Sequence, residues 1–325
     1  MNNYDFYVSN TPLQNQFLSN PQVQKLWAAQ NRIKQKPSTQ HRYDYLLQRH
    51  ILPELGSYRI DSLTAPIINQ FLLQKKNNGR IDGSGGLSAS YVRSIALLIH
   101  SVMDFAVQSR LCPPMYSKIC KPSIERKELP ILSFNDLKRL TANILDHPNS
   151  TKVAVSLALF AGLRIGEICA LRWDDIDMNE RILCVRHTVS RVAATPSDPA
   201  HTMLILDKPK TATSLRHIPI CTQLYEVLSN YRQYVKSNYV VSNKPSFISP
   251  RTLEYRFQIF LKKANISPIH FHSLRHTFAT KCIESGVDIK SLSEILGHAN
   301  VSITLTTYVH SSMGMKRKEL EKLTF

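Results

Sequence analysis

The sequence predicts a mainly α-helical protein of two domains, with a small β-sheet in the C-terminal domain. Three observations lead to this fold class. Apolar residues recur at helical spacing through the first half of the chain, and short β-prone runs interrupt a helical pattern in the second half. Between the halves, residues 113–130 hold four prolines and a mixed run of charges, which is typical of a linker. A chain of 325 residues can give each domain its own core.

The expected boundaries follow from these features. They give an N-terminal extension over residues 1–36, a helical domain over 37–112, the linker over 113–130, a larger domain over 131–310 and a tail over 311–325. The N-terminus, MNNYDFYVSN, lacks the apolar region of a signal peptide. The longest apolar stretch that we identify, near Val153–Ala161, is too short to span a bilayer. We therefore expect no membrane association.

Prolines and glycines mark the first two helices of the N-terminal domain. Pro37–Ser38 opens a helix that is expected to reach about Leu52, where Pro53 ends it. The second helix is expected from about Thr64, with Pro66 in its first turn, to an Asn-Asn-Gly stop at Gly79. The glycine-rich loop that follows is interpreted as a connection, because no strand or phosphate-binding motif surrounds it.

The third helix, from Ser88 to Leu111, shows the clearest periodicity. Five apolar residues fall on one face and predict core packing: Val92, Ile95, Ile99, Val102 and Ala106. Its N-terminal turn carries Ser88, Ser90 and Arg93, which suit either helix capping or contact with a phosphate. We favour capping for Ser88 and phosphate contact for Ser90 and Arg93. Lys121, in the basic linker, either lies along a polyanion or belongs to a solvated tether.

The C-terminal domain is expected to open at Ser133, with Asp136 three residues later as in a capping box. Short strands are expected near Ile182–Arg186, Met203–Leu206 and Arg216–Ile218, together in one small sheet. A helix from Asp288 to Leu296 is expected to end at Gly297 as its C-cap, and another helix is expected to begin at His272.

Five short boxes in this domain carry a distinctive set of residue types. In chain order they are AGLRIGE, KPKTATS, HSLRH, LGH and TTYVH. They contribute two arginines, a lysine, two histidines and a tyrosine: Arg164, Lys210, His272, Arg275, His298 and Tyr308. Cleavage of a phosphodiester by a tyrosine nucleophile needs this combination, and five such matches in sequence are hard to obtain by chance.

The chemistry explains each type. Two guanidinium forks, Arg164 and Arg275, can hold the non-bridging phosphate oxygens and stabilise the charge of the transition state without a metal. Lys210 is a plausible general acid for the leaving deoxyribose oxygen. A phenol has a pKa near about 10, so Tyr308 needs a base, and His272 is suited to accept its proton. His298 could donate a hydrogen bond to the phosphate. A phosphotyrosine product conserves the ester bond energy, so rejoining needs no ATP.

These motifs resemble those of the tyrosine recombinases, or phage integrases, in particular the integrases of phages and conjugative transposons. The family's first box has the form A-G-L-R-x-G-E-x-x-x-L-x-W-x-D-I-D, and this chain has AGLRIGEICALRWDDID over Ala161–Asp177. The second box, H-x-L-R-H-T-F-A-T, matches His272–Thr280. Lys210 matches the lysine of the family's β-hairpin, and Tyr308 follows the histidine of LGH by ten residues. Ser273 departs from the Asp of many members, but the residues that flank it are unchanged.

The resemblance implies further expectations. It implies a two-domain DNA clamp that consists of an N-terminal helical core-binding (SAM-like) domain and a tyrosine-recombinase catalytic domain. A second stretch resembles the core-binding domain of the same family, LSASYVRSIALLIHSVMDFAVQSRL. Glu167 is implied to orient the first arginine. No metal or nucleotide cofactor is implied. Because strand exchange in the family needs four active sites, the resemblance implies a tetramer on paired DNA. It also implies that the C-terminal tail docks on a neighbouring subunit. About 35 residues precede the first helical domain, which we judge too few for a separate arm-binding domain of the usual size.

Charge and cysteine content agree with this function. The formal net charge is +17, with 16 Lys+Arg against 8 Asp+Glu before Pro130 and 25 against 16 after it. Because both halves are basic, we expect a protein that grips a polyanion from two sides, here double-stranded DNA with specific core sites. An accessory protein that sets direction or bends DNA is a further possible partner. Six cysteines without a Cys-x-x-Cys pair indicate reduced core thiols and a cytoplasmic, nucleoid-associated protein.

Several residues have alternative interpretations. Lys208 rivals Lys210 as the general acid, although the Lys-Thr that follows the family pattern favours Lys210. Arg216 either holds the hairpin or contacts a DNA phosphate outside the reaction centre. His276 is expected to be a structural hydrogen-bonding residue. Zinc is disfavoured, because His270, His272 and His276 lack a Cys or carboxylate partner.

Two other functions compete with recombination. A catalytically silent DNA-binding or regulatory protein would be unaffected by Tyr308→Phe, whereas an enzyme would lose its covalent DNA adduct. A type IB topoisomerase would relax any supercoiled plasmid without a site requirement. The complete set of residues and the short interval before Tyr308 favour recombination.

Overall fold

The structure is a computed structural model that describes residues 27–28, 37–114, 118–124, 131–193, 202–207, 215–242, 244–308 and 321. The chain divides into two compact units, the first running to Lys127 and the second containing most of the remainder. Each unit has its own hydrophobic core, as the length of the chain and its central linker predict.

The first unit is mainly helical between residues 37 and 108. Its helices are α1 (Pro37–Leu46), a π-helical segment (Leu47–Ile51), α2 (Leu52–Leu55), a 3-10 turn (Ile60–Ser62), α3 (Ala65–Asn78) and α4 (Ala89–Gln108). The predicted bounds of α3 and the predicted start of α4 are confirmed: Thr64 and Ser88 are the N-cap residues, and Gly79 follows the last turn of α3. Helix α4 ends at Gln108, three residues before the predicted Leu111. Ser88 Oγ accepts a hydrogen bond from the Tyr91 backbone amide at 3.3 Å, so its predicted capping role is confirmed too.

The prediction that Pro53 ends the first helix is wrong. The helical path continues through the π-helical segment into α2, where Pro53 occupies the first turn. A proline is tolerated in a first turn because the missing amide hydrogen has no partner to lose within that helix. The wider π turn supplies the new start, with the Leu52 backbone amide bonded to the Leu47 carbonyl oxygen.

Helix α4 forms the centre of the first unit's core. All five residues of its predicted apolar face are buried. Within the described part of the chain it is the helix that is long and apolar enough, by composition, to cross a membrane. Its apolar face packs against α3 and the first helices instead, which is the behaviour of an ordinary core helix.

The described residues of the second unit form eight α-helices and five short strands. The helices are α5 (Phe134–Leu145), α6 (Ser150–Ala161), α7 (Ile165–Ala170), α8 (Thr222–Arg232), α9 (Pro250–Lys263), α10 (His272–Glu284), α11 (Ile289–Leu296) and α12 (Val301–Tyr308). The strands are β1 (Ile176–Asp177), β2 (Ile182–Val185), β3 (Thr188–Ala193), β4 (Thr202–Asp207) and β5 (Arg216–Pro219).

Helix α6 is the hub of this unit. It is apolar on all sides, and it packs against α5, α7, α8, α9 and α10. Asn149 caps its first turn, with Oδ1 accepting from the backbone amides of Thr151 and Lys152. The predicted start of α5 is confirmed as well: Ser133 Oγ accepts from the Asp136 amide at 3.1 Å.

The strands form two sheets rather than the single predicted sheet. β2 pairs antiparallel with both β1 and β5, whereas β4 pairs with β3. Two strands, β1 and β3, were not predicted. The predicted strand at Met203–Leu206 is therefore present within β4, but it belongs to the two-stranded sheet that β4 forms with β3.

All six cysteines are free. The expectation of core thiols holds for Cys169, which is buried, whereas Cys120 and Cys221 are exposed. Burial raises the pKa of the Cys169 thiol well above its usual range.

Candidate active site

The C-terminal end of α11 gathers three arginines. The last carbonyls of a helix have no partner within it, and they lie at the negative end of the helix dipole, so cationic donors are favoured there. At this end of α11 the carbonyls of Ile295, Leu296 and the C-cap residue Gly297 each accept from a different arginine. The donors, in that order, are Arg216 Nε at 2.6 Å, Arg275 Nη2 at 2.6 Å and Arg164 Nη2 at 3.3 Å.

Gly297 makes this arrangement possible. It ends α11 in the left-handed conformation, with φ of 63°, which confirms the predicted C-cap. A Cβ at this position would lie 3.0 Å from Arg216 Cδ. The glycine of the LGH box therefore both ends the helix and leaves room for the side chain of Arg216.

Arg164 lies at the start of α7, immediately after the turn that ends α6. Its backbone amide donates to Glu167 Oε2 at 2.9 Å, and its Nη1 donates to Glu167 Oε1 at 2.8 Å. The Arg164 side chain remains 37% exposed, so its guanidinium is anchored on one side and open on the other. Glu167 thus contacts Arg164, the arginine that the resemblance implies it orients.

Arg275 is the most enclosed of the three arginines, at 2% exposure. Its Nη1 donates to the carbonyl of Gly162 at 2.5 Å, and its Nη2 lies 3.2 Å from His298 Nε2. Gly162 has a φ of 64°, and a Cβ there would lie 2.6 Å from Phe278 Cδ1, so the AGLR turn requires glycine. Burial, followed by the charge of Arg164, lowers the pKa of Arg275 to about 9, which leaves it protonated at neutral pH.

For Arg216 the sequence left two alternatives open, holding the hairpin or contacting a DNA phosphate outside the reaction centre. Arg216 is 7% exposed, and its guanidinium is engaged with Glu167: Nη1 to Oε1 at 3.1 Å and Nη2 to Oε2 at 2.9 Å. These bonds hold the guanidinium inside the unit, and the contact of Arg216 with a DNA phosphate stays a prediction. Its place in β5, opposite Val185 in β2, directs it into the unit.

Glu167 thus lies between two arginines. Burial raises the pKa of its carboxyl, but the hydrogen bonds and charge of Arg216, together with the charge of Arg164, outweigh burial and hold the pKa at about 2. The carboxylate is therefore ionised throughout the physiological pH range, and its hydrogen bonds fix the position of Arg164.

His298 lies beside Arg275. Since an arginine can only donate, His298 Nε2 accepts from it, and the ring proton of the neutral imidazole belongs on Nδ1. Nδ1 lies 2.8 Å from Thr304 Oγ1, which can accept that proton's hydrogen bond. Burial, followed by the charge of Arg275, lowers the pKa of His298 to about 4. In this arrangement the predicted donation to a phosphate requires His298 to gain a second proton or to shift its ring proton from Nδ1 to Nε2.

Tyr308 ends α12 and is 8% exposed. Its hydroxyl lies 2.9 Å from His276 Nδ1, and its ring is nearly parallel to that of His298, with centroids 6.3 Å apart. The expected acceptor, His272, is instead solvent-exposed at the N-terminus of α10. His272 contacts the His276 ring edge-on, with centroids 4.4 Å apart. The histidine that is hydrogen-bonded to the Tyr308 hydroxyl is therefore His276.

The remaining predicted residues lie elsewhere. Lys210 and its rival Lys208 fall outside the described residues. In the first unit, Arg93 Nη1 donates to the Pro122 carbonyl at 3.2 Å, while Ser90 and Lys121 are exposed. Their proposed DNA contacts remain predictions. Among the described residues no group of His, Cys, Asp and Glu side chains has the arrangement of a metal site.

The fold and this cluster of charged and aromatic groups define a class of protein, the enzymes that cleave and rejoin DNA with a tyrosine. The chain belongs to the phage integrase family: the family model matches residues 130–315, and the model of the phage integrase N-terminal SAM-like domain matches residues 21–76. It is a tyrosine recombinase, so its reaction is site-specific DNA breakage and rejoining. The predicted family, fold class and reaction are confirmed.

Similar proteins include recombinases of mobile elements. A "Tyrosine recombinase XerC-like" protein of Caldanaerobacter subterraneus subsp. tengcongensis is 27% identical over 316 residues, which cover 90% of this chain and 79% of the relative. The transposase from transposon Tn916 of Enterococcus faecalis is 25% identical over 328 residues, covering 92% and 76%. The Tn1549 transposon integrase, solved in complex with a circular intermediate DNA, superposes with a TM-score of 0.73 at 22% identity, covering 93% and 99%.

Proposed function

We propose that this recombinase integrates or excises a mobile element through a 3′-phosphotyrosine intermediate, with Tyr308 as the nucleophile. The observation that carries this proposal is the convergence of Tyr308, two histidines and Arg275 at the end of α11, where Arg164 is also held. The similarity to transposon integrases and transposases supports a mobile element as the source of the DNA.

The arginines supply the electrostatic part of the mechanism. Arg164, open to solvent on one side, binds a non-bridging oxygen of the scissile phosphate, and Arg275 places a second fixed positive charge next to it. Because both guanidinium groups are held by backbone carbonyls and Glu167 before DNA binds, they need little reorganisation in the transition state. Glu167 and Arg216 act by positioning Arg164.

Tyr308 Oη attacks phosphorus, the bond to the 5′ oxygen breaks, and Lys210 donates a proton to that leaving oxygen. His272, exposed at the start of α10, and His298 contact the non-bridging oxygens, a place where a helix N-terminus also favours an anion. Attack by a free 5′ hydroxyl on the phosphotyrosine then rejoins a strand and releases Tyr308.

The DNA partner and assembly extend the proposal. A lambda integrase dimer bound to a COC′ core site and a tetramer bound to a Holliday junction have the same fold as this chain, with TM-scores of 0.63 and 0.62. We propose core-site duplexes for this chain too, bound through Ser90 and Arg93 of the helical domain (37–112) and through Lys121 of the linker, and a tetramer on paired sites. An accessory directionality or DNA-bending protein and a cytoplasmic, nucleoid-associated location belong to the same proposal.

The tail is proposed to stabilise that tetramer by docking on a neighbouring subunit, as the resemblance implies. It lies outside the described residues apart from position 321. Deleting residues 314–325 is expected to weaken synapsis while sparing binding to a single site, measured by gel shift with one and two sites. Unchanged synapsis by the truncated chain would contradict the docking.

The decisive test is a suicide-substrate assay in EDTA. Nicked duplexes that carry candidate attachment junctions are incubated with the wild-type chain and with Tyr308→Phe. A covalent protein–DNA band that is absent from the variant supports the proposal. Tight binding without an adduct on any junction supports the silent DNA-binding protein, and relaxation of unrelated plasmids supports the topoisomerase.

A further inference from the structure

We propose that His276 accepts the phenolic proton of Tyr308 as the tyrosine attacks DNA. His276 would then be a further catalytic residue, in contact with a reacting atom. This inference rests on the function proposed above, in which Tyr308 is the nucleophile.

The first argument is contact. His276 is buried one helical turn after His272 on α10, and its Nδ1 lies 2.9 Å from Tyr308 Oη. That distance is short enough for direct proton transfer. The two residues are 32 positions apart, so the packing of α10 against α12 creates the pair.

The second argument is the engagement of the other two histidines. His298 stacks on the Tyr308 ring, but its two nitrogens bond Thr304 and Arg275. His272 contacts the ring of His276 rather than the phenol. Among the described residues, His276 is therefore the histidine whose nitrogen faces the hydroxyl.

The third argument is protonation state. Burial, followed by the charges of His272 and Arg275, lowers the pKa of His276 to about 4, so its ring is neutral at physiological pH. A neutral ring with its proton on Nε2 presents Nδ1 as an acceptor. Burial raises the pKa of Tyr308, against the opposing effect of Arg275. Full transfer before attack is thus uphill, and the proton moves as the new bond forms.

The step balances. The Tyr308 O–H bond breaks, its proton goes to His276 Nδ1, and its oxygen forms the bond to phosphorus. The bond from phosphorus to the 5′ oxygen breaks, and the leaving oxygen takes the bonding pair and a proton from the general acid. In rejoining, His276 returns its proton to the departing phenolate.

The test compares His276→Asn with His272→Asn and with His270→Asn, whose native side chain is exposed before α10. An asparagine amide can occupy the place of Nδ1 and accept a hydrogen bond, but it does not take a proton at neutral pH. Single-turnover adduct formation by His276→Asn is expected to fall about 100-fold, with unchanged DNA affinity. His270→Asn is expected to match the wild-type chain.

A second readout separates proton transfer from support of the fold. Position 308 is loaded with a fluorinated, more acidic tyrosine by nonsense suppression. If His276 is the base, the fluorinated residue is expected to restore the rate of His276→Asn at least tenfold, since a weaker base then suffices. Within one variant background, a defect of folding or packing would be the same for both tyrosines.

The outcomes are distinct. A Tyr308-dependent adduct formed by His276→Asn within threefold of the wild-type rate overturns this inference alone. A slow His276→Asn that fluorination does not rescue assigns His276 a structural role and also overturns it. Absence of any adduct from the wild-type chain overturns the proposed function and this inference together.

Discussion

Glu167 offers the sharpest stability prediction, because it is a buried carboxylate between two arginines. Replacing it by glutamine keeps its shape and one hydrogen-bond acceptor but removes its charge. Arg216, itself 7% exposed, would then be a buried cation that has lost the negative charge of Glu167. We expect the second unit to lose stability, and adduct formation to slow because Arg164 is no longer fixed.

The magnitude follows from the pKa. A carboxyl whose pKa is 4.5 in the unfolded chain and about 2 in the folded chain contributes about 3 kcal/mol to the free energy of unfolding. Because the folded pKa is the lower one, this contribution is fully present above pH 4.5 and is lost as the pH falls toward 2. Removal of one partner from a buried ion pair costs about 3–5 kcal/mol, which agrees.

The assay is urea unfolding followed by tryptophan fluorescence. The chain has two tryptophans, and a Trp27→Phe background leaves Trp173 as the reporter of the second unit. Glu167→Gln is compared with Glu180→Gln, an exposed carboxylate in the same unit, at pH 7 and at steps down to pH 3. The reasoning fails if Glu167→Gln costs less than about 1 kcal/mol at pH 7, against the 3 expected from the pKa. It also fails if the difference from wild type does not shrink below pH 4.5.

Three further predictions use the same geometry. Gly297→Ala adds a Cβ 3.0 Å from Arg216 Cδ and should slow adduct formation at least tenfold. Gly286→Ala is the control for backbone strain, because Gly286 has a similar positive φ but no neighbour within 4 Å of the added Cβ, and it should leave the rate unchanged. Arg275→Lys cannot bond two carbonyls as a planar fork does, so we expect a rate loss of about 100-fold at unchanged affinity, and near-wild-type turnover would refute it. Asn149→Ala removes the cap of α6 and should cost about 1 kcal/mol in urea unfolding; no measurable change would show that solvent replaces the cap.

Local signals in the sequence predicted many elements well. Both ends of α3 and the start of α4 followed from Thr64, Gly79 and Ser88, because caps act through atoms within one turn. The prediction that Pro53 ends the first helix was wrong, because a π-helical segment precedes α2 and Pro53 lies in the first turn of α2. The pairing of strands could not be predicted from local signals. No pattern within β4 specifies that it pairs with β3 rather than joining the sheet of β5.

The candidate site was identified by its residue types, and its internal pairing was not. The sequence marked Arg216 as basic and near the hairpin, but both a DNA contact and an inward ion pair fitted that description. Its partner, Glu167, is 49 positions away, and only packing brings the two together. His276 had one sequence signal, its place four residues after His272 on the same helical face.

By itself, the sequence determined the chemistry of this protein: the family, the reaction, and the arginines, histidines and tyrosine suited to phosphoryl transfer. Those features depend on residue type and chain order, which the boxes carry in full. The tertiary structure decided which histidine meets Tyr308 and which carbonyl holds each arginine. Hydrogen bonds form over about 3 Å, so they depend on the placement of α10, α11 and α12 against one another, and no local pattern in the chain specifies that placement.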